Sequence, residues 1–359
     1  MQTAAAFLTI LLAAATALPF LPFAHGVVRI GDFPRQQILA IAVLSLALTF
    51  LATPDATWRL MQVVLAAISM VQIHHIIPFT PVWRKQSADY DPATDQGEGF
   101  RLLACNVKMS NRDFDGLAVL IRESAPDLFV LMEVDEKWLA GLAGLLAAYP
   151  YVVAQPQDNS YGMVLASKFE LRDQKVQYLL TEGVPSIITD VVTPAEQVFR
   201  LYFIHPEPPV PHRGSEGRDG ETGLVALKVR EEKKPVIVTG DLNDVAWSGT
   251  TERFRRISRL LDPRIGRKVF STFDARYPLI RWPLDHLFHS PEFRLAGMKR
   301  LPPCGSDHFP VVFDLVLCPD GEAESHPEQA DDDDVDRAKE LASEAKARDE
   351  SPIGTDWEK

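Results

Sequence analysis

The chain of 359 residues contains only three cysteines, Cys105, Cys304 and Cys318. An odd number without metal-binding spacing argues against a disulfide framework and against a cysteine metal site, and it favours a reducing compartment. The strong excess of basic residues that typifies nucleic-acid-binding proteins is also missing. The net charge is −12, and residues 319–359, with 15 acidic and 5 basic residues, carry −10 of it. Acidity is therefore a property of the tail and not of the rest of the chain.

Charged residues are also absent from three long apolar runs near the N-terminus, at residues 4–23, 38–53 and 60–83. Runs of this kind predict about three transmembrane helices, arranged as a hairpin followed by one more helix. The alternative for the first run is a cleaved signal peptide, since residues 13–17 are small enough for a cleavage site. No basic segment precedes that run, however, so a retained helix is favoured.

The basic residues that flank these runs predict the orientation of the chain. Three crossings place Arg29, Arg35, Arg84 and Lys85 on the same side as the C-terminal region, and only Arg59 on the other side. Because cytoplasmic loops carry the excess of lysine and arginine, this asymmetry predicts a multi-pass membrane protein whose large domain faces the cytoplasm.

Composition divides the chain into four parts. Residues 1–86 form the predicted membrane anchor, and the polar residues 87–99 form a linker. Residues 100–318 alternate strand-like and helix-like runs, which predicts a layered α/β domain whose sheets are covered by helices. Residues 319–359 combine a run of aspartates with few apolar residues, which predicts a disordered acidic tail, at most with a short charged helix at residues 335–348.

Polar residues stand at one end of six strand-like runs in the α/β region. An apolar strand that terminates in a polar residue places that residue at the rim of the core, where a site can form. One or two such endings arise by chance, but six endings indicate a constellation that could hold a divalent cation, position a phosphoryl group and activate water. The residues are Asn106, Glu133, His205, Asp241 with Asn243, Asp285 with His286, and Asp307 with His308.

Three of these strand ends belong to longer motifs, which are Gly240-Asp241-Leu242-Asn243 followed by Trp247-Ser248, Pro283-Leu284-Asp285-His286, and Ser306-Asp307-His308. On these motifs, the region from about residue 100 to residue 317 resembles the endonuclease/exonuclease/phosphatase superfamily. With its apolar N-terminal runs, the chain is similar to a bacterial membrane-anchored branch. The resemblance implies a four-layered α/β sandwich of the DNase I type in the bacterial inner membrane.

The resemblance also implies which residues hold a cation. Glu133 would be the principal Mg²⁺ ligand, because a hard carboxylate oxygen suits a hard cation, and Mn²⁺ is the alternative ion. Asn106 would support the metal or an adjacent phosphate oxygen. Asp307 would lie near the metal.

The remaining residues receive catalytic roles from the same resemblance. Asp241 would orient or deprotonate the attacking water, and Asn243 would bind a phosphoryl oxygen through its amide. His308, oriented by Asp285, would polarise the scissile phosphate or transfer a proton, because an imidazole held by a carboxylate has a fixed tautomer and a raised pKa. His205 would contact the phosphate from the opposite wall.

Two groups of positively charged residues bear on the substrate that the resemblance implies. Apurinic-endonuclease-like members carry an acid two residues after the asparagine, where this chain has Lys108. The replacement of this acid by Lys108 favours a branch of the superfamily that acts on phosphomonoesters or small phosphodiesters. Four arginines at residues 253–259 could form a phosphate-facing patch or the solvated face of a helix, and the solvated face is favoured because charged helix faces are common.

The sequence thus predicts a membrane-anchored, Mg²⁺-dependent phosphoesterase that hydrolyses a phosphomonoester or phosphodiester by attack of water. Hydrolysis is favoured over transfer, because no serine or cysteine nucleophile turn is present. A nuclease of the same fold and a catalytically silent membrane scaffold are the alternatives, and a lipid phosphodiesterase is a further one. The predicted partners are a phosphate-ester substrate and the lipid bilayer, and nucleic acid is not favoured.

Overall fold

The computed structural model describes residues 2–53 and 55–355, and its N-terminal part is a small helical bundle. The long helices α1 and α4 both pack against α3, around the buried side chains of Leu12, Ile38 and Leu65. A five-residue helix, α2, lies in the loop between α1 and α3. The bounds are α1 (Gln2–Ala17), α2 (Gly26–Ile30), α3 (Arg35–Thr49) and α4 (Ala56–Ile76).

Within the described residues, two helical segments are long and apolar enough to cross a membrane, Gln2–Phe20 and Ala56–Phe79, and not the three predicted. The middle run forms α3, which has only 15 residues. At about 1.5 Å per residue it is shorter than a hydrocarbon core of about 30 Å. Length and composition of this kind are shared with signal sequences, the alternative considered for the first run.

Two β-sheets form the body of the protein. Their strand orders are β10-β11-β1-β2-β4-β3 and β5-β6-β7-β8-β9. In the first sheet β1 pairs in parallel with β2 and antiparallel with β11, and in the second β8 pairs in parallel with β7 and antiparallel with β9. The strands are β1 (Glu98–Asn106), β2 (Leu128–Met132), β3 (Tyr151–Gln155), β4 (Met163–Ser167), β5 (Glu170–Tyr178), β6 (Pro185–Val192), β7 (Val198–Phe203), β8 (Val236–Asp241), β9 (Asp285–His289), β10 (Phe293–Arg300) and β11 (Val311–Leu317).

The sheets pack face to face, and helices cover both outer faces. Inward side chains of both sheets, such as Leu102 and Phe203, form one buried cluster, because alternate residues of a strand point to opposite faces. The outer face of the first sheet is covered by α5 (Phe114–Ser124), α6 (Glu136–Gly141) and α7 (Ala143–Leu146). The outer face of the second is covered by α8 (Glu216–Arg230) and α9 (Gly249–Ser258). These four layers confirm the predicted α/β sandwich.

The acidic tail, for which the sequence predicts disorder with at most a short charged helix at residues 335–348, forms the helix α10 (Asp332–Ala347). Ala338, Leu341 and Ala345 are buried, and the helix packs on α8. The helix thus overlaps the one that the sequence allowed, and it forms because the apolar residues, though few, recur at helical spacing and share one face.

The tail helix also explains the arginines of α9. Asp334 accepts two hydrogen bonds from Arg256, at 2.7 and 2.8 Å, and lies 3.4 Å from Arg253. Arg255 is buried. This face of α9 is therefore neither a solvated surface nor a phosphate patch, because the acidic tail covers it.

The loop between α1 and α3 is joined to the α/β body. His25 forms an isolated β-bridge with the loop before α8, and the Arg29 guanidinium binds Asp219 at 2.7 Å. The indole N–H of Trp247 donates a hydrogen bond to the carbonyl of Asp32 at 2.8 Å. The motif residue Trp247 therefore links the N-terminal helical segment to the body.

Candidate active site

The polar strand ends converge at one edge of the sandwich. Asn106 ends β1, Glu133 follows β2, and Asp241 ends β8. Asp285 begins β9 and His308 precedes β11, and both of these strands run antiparallel to their neighbours. The start of an antiparallel strand lies at the same edge as the end of its neighbour. All five side chains therefore meet at one rim.

Gly240 is required for the placement of Asp241. Its φ of 145° is rarely adopted by other residues, and a Cβ atom here would lie 1.9 Å from the carbonyl oxygen of Ile204. The neighbouring β7 segment thus approaches the backbone too closely for any side chain. The first glycine of the motif allows β8 to deliver Asp241 into the site.

Three non-glycine residues at the site, Lys108, Glu133 and Asn243, have positive φ angles of 58°, 63° and 53°. Such angles are uncommon outside glycine and concentrate at functional sites, although asparagine tolerates them well. The backbone conformation therefore independently marks the same rim of the sandwich as a functional site.

The Asn106 amide lies between two carboxylates. Its Nδ2 atom is 2.7 Å from Oε1 of Glu133 and 3.1 Å from Oδ2 of Asp241. Glu133 belongs to the same sheet as Asn106, whereas Asp241 belongs to the other sheet. Asn106 therefore links the two halves of the site.

His308 is held between two carboxylates. Its Nδ1 atom is 2.8 Å from Oδ2 of Asp285, and its Nε2 atom is 3.4 Å from Oδ2 of Asp241. Burial disfavours the charged imidazolium, but the two carboxylates outweigh burial and raise the pKa of His308 to about 10. The imidazole is therefore positively charged at neutral pH.

Asp241 and Asp285 differ in acidity although they are partners across β8 and β9. Burial raises the pKa of Asp241 to about 6, and the neighbouring His308 only partly counteracts it. Burial also acts on Asp285, but its direct hydrogen bond and ion pair with His308 outweigh burial and lower its pKa. Asp285 is thus the orienting partner, and Asp241 is an acid that can gain a proton near neutral pH.

His205 lies deeper in the same site. Its Nε2 atom is 3.9 Å from Oδ2 of Asp241, and its Nδ1 atom is buried without a hydrogen-bond partner among the described residues. Burial and the nearby charge of His308 lower the pKa of His205 to about 3. His205 is therefore a neutral ring that can donate or accept a hydrogen bond.

Asp307 and Asn243 have protein partners. The Lys108 ammonium binds Asp307 at 2.8 Å, and Arg276 lies 3.6 Å from the same carboxylate. Asn243 donates from its side-chain amide to the carbonyl of Pro206 at 2.9 Å. Lys108 thus brings a positive charge to the rim beside Asp307.

These side chains line one end of a cavity of about 650 Å³. Asn106, Lys108, Glu133, Asp241 and His308 are among the lining residues, and so are His205, Asn243 and Asp307. Asp285 stands behind His308. All the sequence-predicted site residues are therefore brought together.

The cavity also contains residues that the sequence analysis missed. Phe33 comes from the loop between α1 and α3, and Ile353 comes from the segment after α10. Tyr161 donates from its hydroxyl to the carbonyl of Ile353, and the chain is held nearby by the ion pair of Arg348 with Glu207. Contacts between segments this far apart in the chain leave no periodic signal in a sequence.

The donor set fits a hard divalent cation. Oxygen atoms of Asp241 and Asp285 lie within 4.8 Å of each other and of a nitrogen of His308, whose charged ring is a partner of the carboxylates and not a cation ligand. Oδ1 of Asp285 is buried without a hydrogen-bond partner among the described residues. Glu133 adds carboxylate oxygens next to the amide of Asn106, whose nitrogen faces Glu133 and Asp241 and whose oxygen accepts a hydrogen bond from the backbone N–H of Lys108 at 3.0 Å. Carboxylate and amide oxygens are the ligands that Mg²⁺ and Mn²⁺ prefer. Proteins with this kind of site typically bind such divalent ions.

Comparisons with known proteins agree with this geometry. The model of the Endonuclease/Exonuclease/phosphatase family matches residues 103–308, which is more than half of the chain. No curated protein matches the chain. The fold is similar to that of an endonuclease/exonuclease/phosphatase family protein from Bacteroides thetaiotaomicron, with a TM-score of 0.51, 19% identity, and coverage of 62% of this chain and 99% of that chain.

Two further solved structures have the same fold. D. rerio TDP2, complexed with a single strand DNA product, has a TM-score of 0.50 and 17% identity over 60% of this chain and 98% of that chain. The catalytic domain of human Nocturnin with a bound sulfate anion has a TM-score of 0.50 and 17% identity over 62% of this chain and 96% of that chain. Together with the family model that covers residues 103–308, these similarities assign the chain: it belongs to the endonuclease/exonuclease/phosphatase family.

Proposed function

We propose that this protein is a membrane-anchored phosphoesterase that depends on a divalent cation, Mg²⁺ or Mn²⁺, and hydrolyses a phosphomonoester or phosphodiester by attack of water. The observation that carries the proposal is the imidazole of His308, charged and fixed between Asp285 and Asp241 in a cavity that also contains Glu133 and Asn106. Acids, amides and a cation at one rim are what phosphoryl hydrolysis requires.

Each side chain has a part in this reaction. Asp241, with a pKa of about 6, orients the water and accepts its proton as the water oxygen bonds to phosphorus. The protonated His308 stabilises the charge that develops on the phosphoryl group and supplies a proton to the leaving oxygen as its ester bond breaks. Asn243 and the neutral His205 donate hydrogen bonds to phosphoryl oxygens.

Glu133 and Asn106 would hold the cation, with Asp307 as a further oxygen donor at the rim. A bound divalent cation supplies charge that polarises the phosphoryl oxygens. Lys108 and Arg276 partly neutralise the Asp307 carboxylate, so Asp307 adds less than a full negative charge to the site.

The test uses the full chain in lipid nanodiscs, with Mg²⁺, with Mn²⁺ and with chelator. The substrates are a phosphomonoester, a phosphodiester and single-stranded DNA. Loss of the general base typically lowers kcat by about a hundredfold to ten-thousandfold, and we expect this from Asp241→Asn. Asp173→Asn is the matched control, since it makes the same change at an exposed position of the edge strand β5. Hydrolysis that persists both in chelator and in Asp241→Asn would refute the mechanism.

A nuclease of the same fold is the second candidate, because the D. rerio TDP2 structure contains a single strand DNA product. In this chain Arg253 and Arg256 are bound to Asp334 of the tail, which leaves that basic face unavailable to a nucleic-acid backbone. A kcat/KM for single-stranded DNA above that for both small esters would favour the nuclease. Full inactivity with every substrate would favour the silent scaffold.

A further inference from the structure

One wall of the active-site cavity is apolar and comes from the N-terminal segment. Ile30, Phe33 and Pro34, in the segment between α1 and α3, line the same cavity as the polar strand ends. This loop directly precedes α3 and follows the first candidate membrane span. The catalytic cavity therefore has a polar end made by the α/β body and an apolar end made by the anchor.

Aromatic rings connect the two ends of the cavity. The ring of Phe33 contacts Trp282 edge to face at 5.6 Å, Trp282 stacks on Phe273 at 6.1 Å, and Phe273 lies 4.8 Å from the ring of His308. The indole N–H of Trp282 is buried without a hydrogen-bond partner among the described residues. A continuous apolar surface with one unused donor thus leads from the anchor to the proposed catalytic imidazole.

The loop that carries these rings also has an exposed apolar tip. Leu279 is 84% exposed and Ile280 is 47% exposed, and the carbonyl of Leu279 accepts a hydrogen bond from Gln37 at the start of α3. Arg281 and Arg300 lie in the same groove, and neither is in an ion pair with a described residue. Both arginines donate hydrogen bonds to backbone carbonyls and lie over the ring of Phe309, so their charge is not neutralised by a carboxylate. Apolar side chains flanked by such arginines are typical of a segment that lies at a membrane surface.

We propose that the substrate is an amphiphilic phosphate ester drawn from the bilayer. Its phosphate lies at Lys108 and His308, and its hydrocarbon chain lies along Phe33 and Trp282. Leu279, beside α3, inserts into the membrane surface where the cavity opens. The proposal rests on the proposed function and adds the chemical class of the ester.

The substrate class follows from two surfaces of the cavity, the charged residues and the aromatic wall, because a small polar ester would contact only the charged residues. A phosphate satisfies the charged end, but a short ester leaves the aromatic wall in contact with water. A hydrocarbon chain that covers this wall removes apolar surface of both partners from water, which is favourable in proportion to the buried area. The unused N–H of Trp282 fits an oxygen atom at the junction of phosphate and chain.

The first experiment measures hydrolysis of a series of alkyl phosphates, from methyl to dodecyl, by the full chain in nanodiscs with Mg²⁺. We expect kcat/KM to rise by about two- to fourfold for each methylene until the wall is covered, since burial of a methylene is worth that factor. A kcat/KM independent of chain length would overturn the inference and leave the proposed function standing.

Variants separate the wall from the membrane surface. Phe33→Ser should lower the ratio of kcat/KM for dodecyl phosphate to that for methyl phosphate by at least about tenfold. Leu279→Ser should reduce the rate on long esters presented in vesicles. Val119→Ser is the matched control, because it removes an exposed valine, 46% exposed, from α5 in the opposite outer layer. An equal effect of Val119→Ser on these rates would refute the assignment of Leu279 to the membrane surface, and an unchanged ratio in Phe33→Ser would refute the assignment of the wall.

A binding measurement makes the inference independent of catalysis. A bromine-labelled dodecyl phosphate should quench the fluorescence of Trp282, and Trp282→Phe should remove the quenched component. Inorganic phosphate, with no chain, should not quench. Quenching without hydrolysis of any ester would support the substrate class and contradict the proposed function. Hydrolysis without quenching at saturating ester would overturn the substrate class alone.

Discussion

The contact between α8 and α10 provides the sharpest test of the tail. At Gly220, inside α8, a Cβ atom would lie 2.7 Å from the carbonyl oxygen of Leu341 and 3.2 Å from the Cα atom of Ala342. Both are backbone atoms of α10, so no flexible side chain can move aside and the whole helix must shift. Gly220→Ala should therefore destabilise the protein, although the same exchange in a helix normally stabilises it.

The expected change in the free energy of unfolding follows from two opposing contributions. Alanine is better than glycine inside a helix by about 0.5–1 kcal/mol. Forcing an extra carbon into a packed contact costs about 1–3 kcal/mol. The net expectation for Gly220→Ala is a loss of about 1–2 kcal/mol in the free energy of unfolding. Gly144→Ala is the matched control, since a Cβ atom at this helical position meets nothing within 4 Å.

The assay is thermal unfolding of both variants, together with the rate at which a protease removes the tail. We expect Gly220→Ala to lower Tm and to accelerate cleavage, and Gly144→Ala to raise Tm slightly. In a chain that ends at residue 330, the obstacle at Gly220 is gone, so the same substitution should become neutral or stabilising. Equal increases of Tm in the two full-length variants would refute the packing of α10 on α8.

Three further predictions concern the site and the core. Mg²⁺ at about one hundred times its Kd should stabilise the wild type by about 2.7 kcal/mol, and this gain, read as a rise in Tm, should vanish in Glu133→Gln and persist in Asp173→Asn. In the metal-free protein, Asp285→Asn should lower the pKa of His308, followed by NMR, by roughly 1–3 units from about 10; an unchanged titration would contradict the ion pair. Burial raises the pKa of Glu221 to about 8. The folded state therefore keeps a proton that the unfolded chain releases above pH about 4.5, and the free energy of unfolding falls as the pH rises from about 4.5 to about 8. Glu221→Gln should remove that fall and gain on the order of 3–5 kcal/mol at pH 9 in denaturant titrations, and parallel pH profiles would contradict it.

The sequence was sufficient for the sandwich and for the rim of the site because both depend on local patterns. Buried strands such as β2 and β8 are continuous apolar runs that end in polar residues, and this signal is independent of distant contacts. The edge strands β5 and β10 were not predicted. Both present charged side chains to solvent, for example Arg172 and Lys299, which is expected at sheet edges and hides the strand pattern.

The remaining errors arose where distant segments meet. The helix α10 carries Ala338, Leu341 and Ala345 on one face, a weak helical pattern that six aspartates and glutamates in the helix obscured. The contact of Phe33 with Trp282 joins positions separated by most of the chain, and no local rule predicts it. The middle apolar run was predicted to cross the membrane, but its helix, α3, ends at Thr49, before the apolar composition does, and is too short to be a candidate span.

The bridging amide of Asn106 has a consequence for the evolution of the site. It spans the seam between two independently hydrogen-bonded sheets, so the spacing of Glu133 and Asp241 depends on how the sheets slide over each other. A side chain such as Phe203, buried between the sheets and not part of the cavity lining, therefore helps to set the distance between the two acids. Substitutions that alter this sliding would change turnover without touching the substrate, and selection for catalysis extends into the hydrophobic interior.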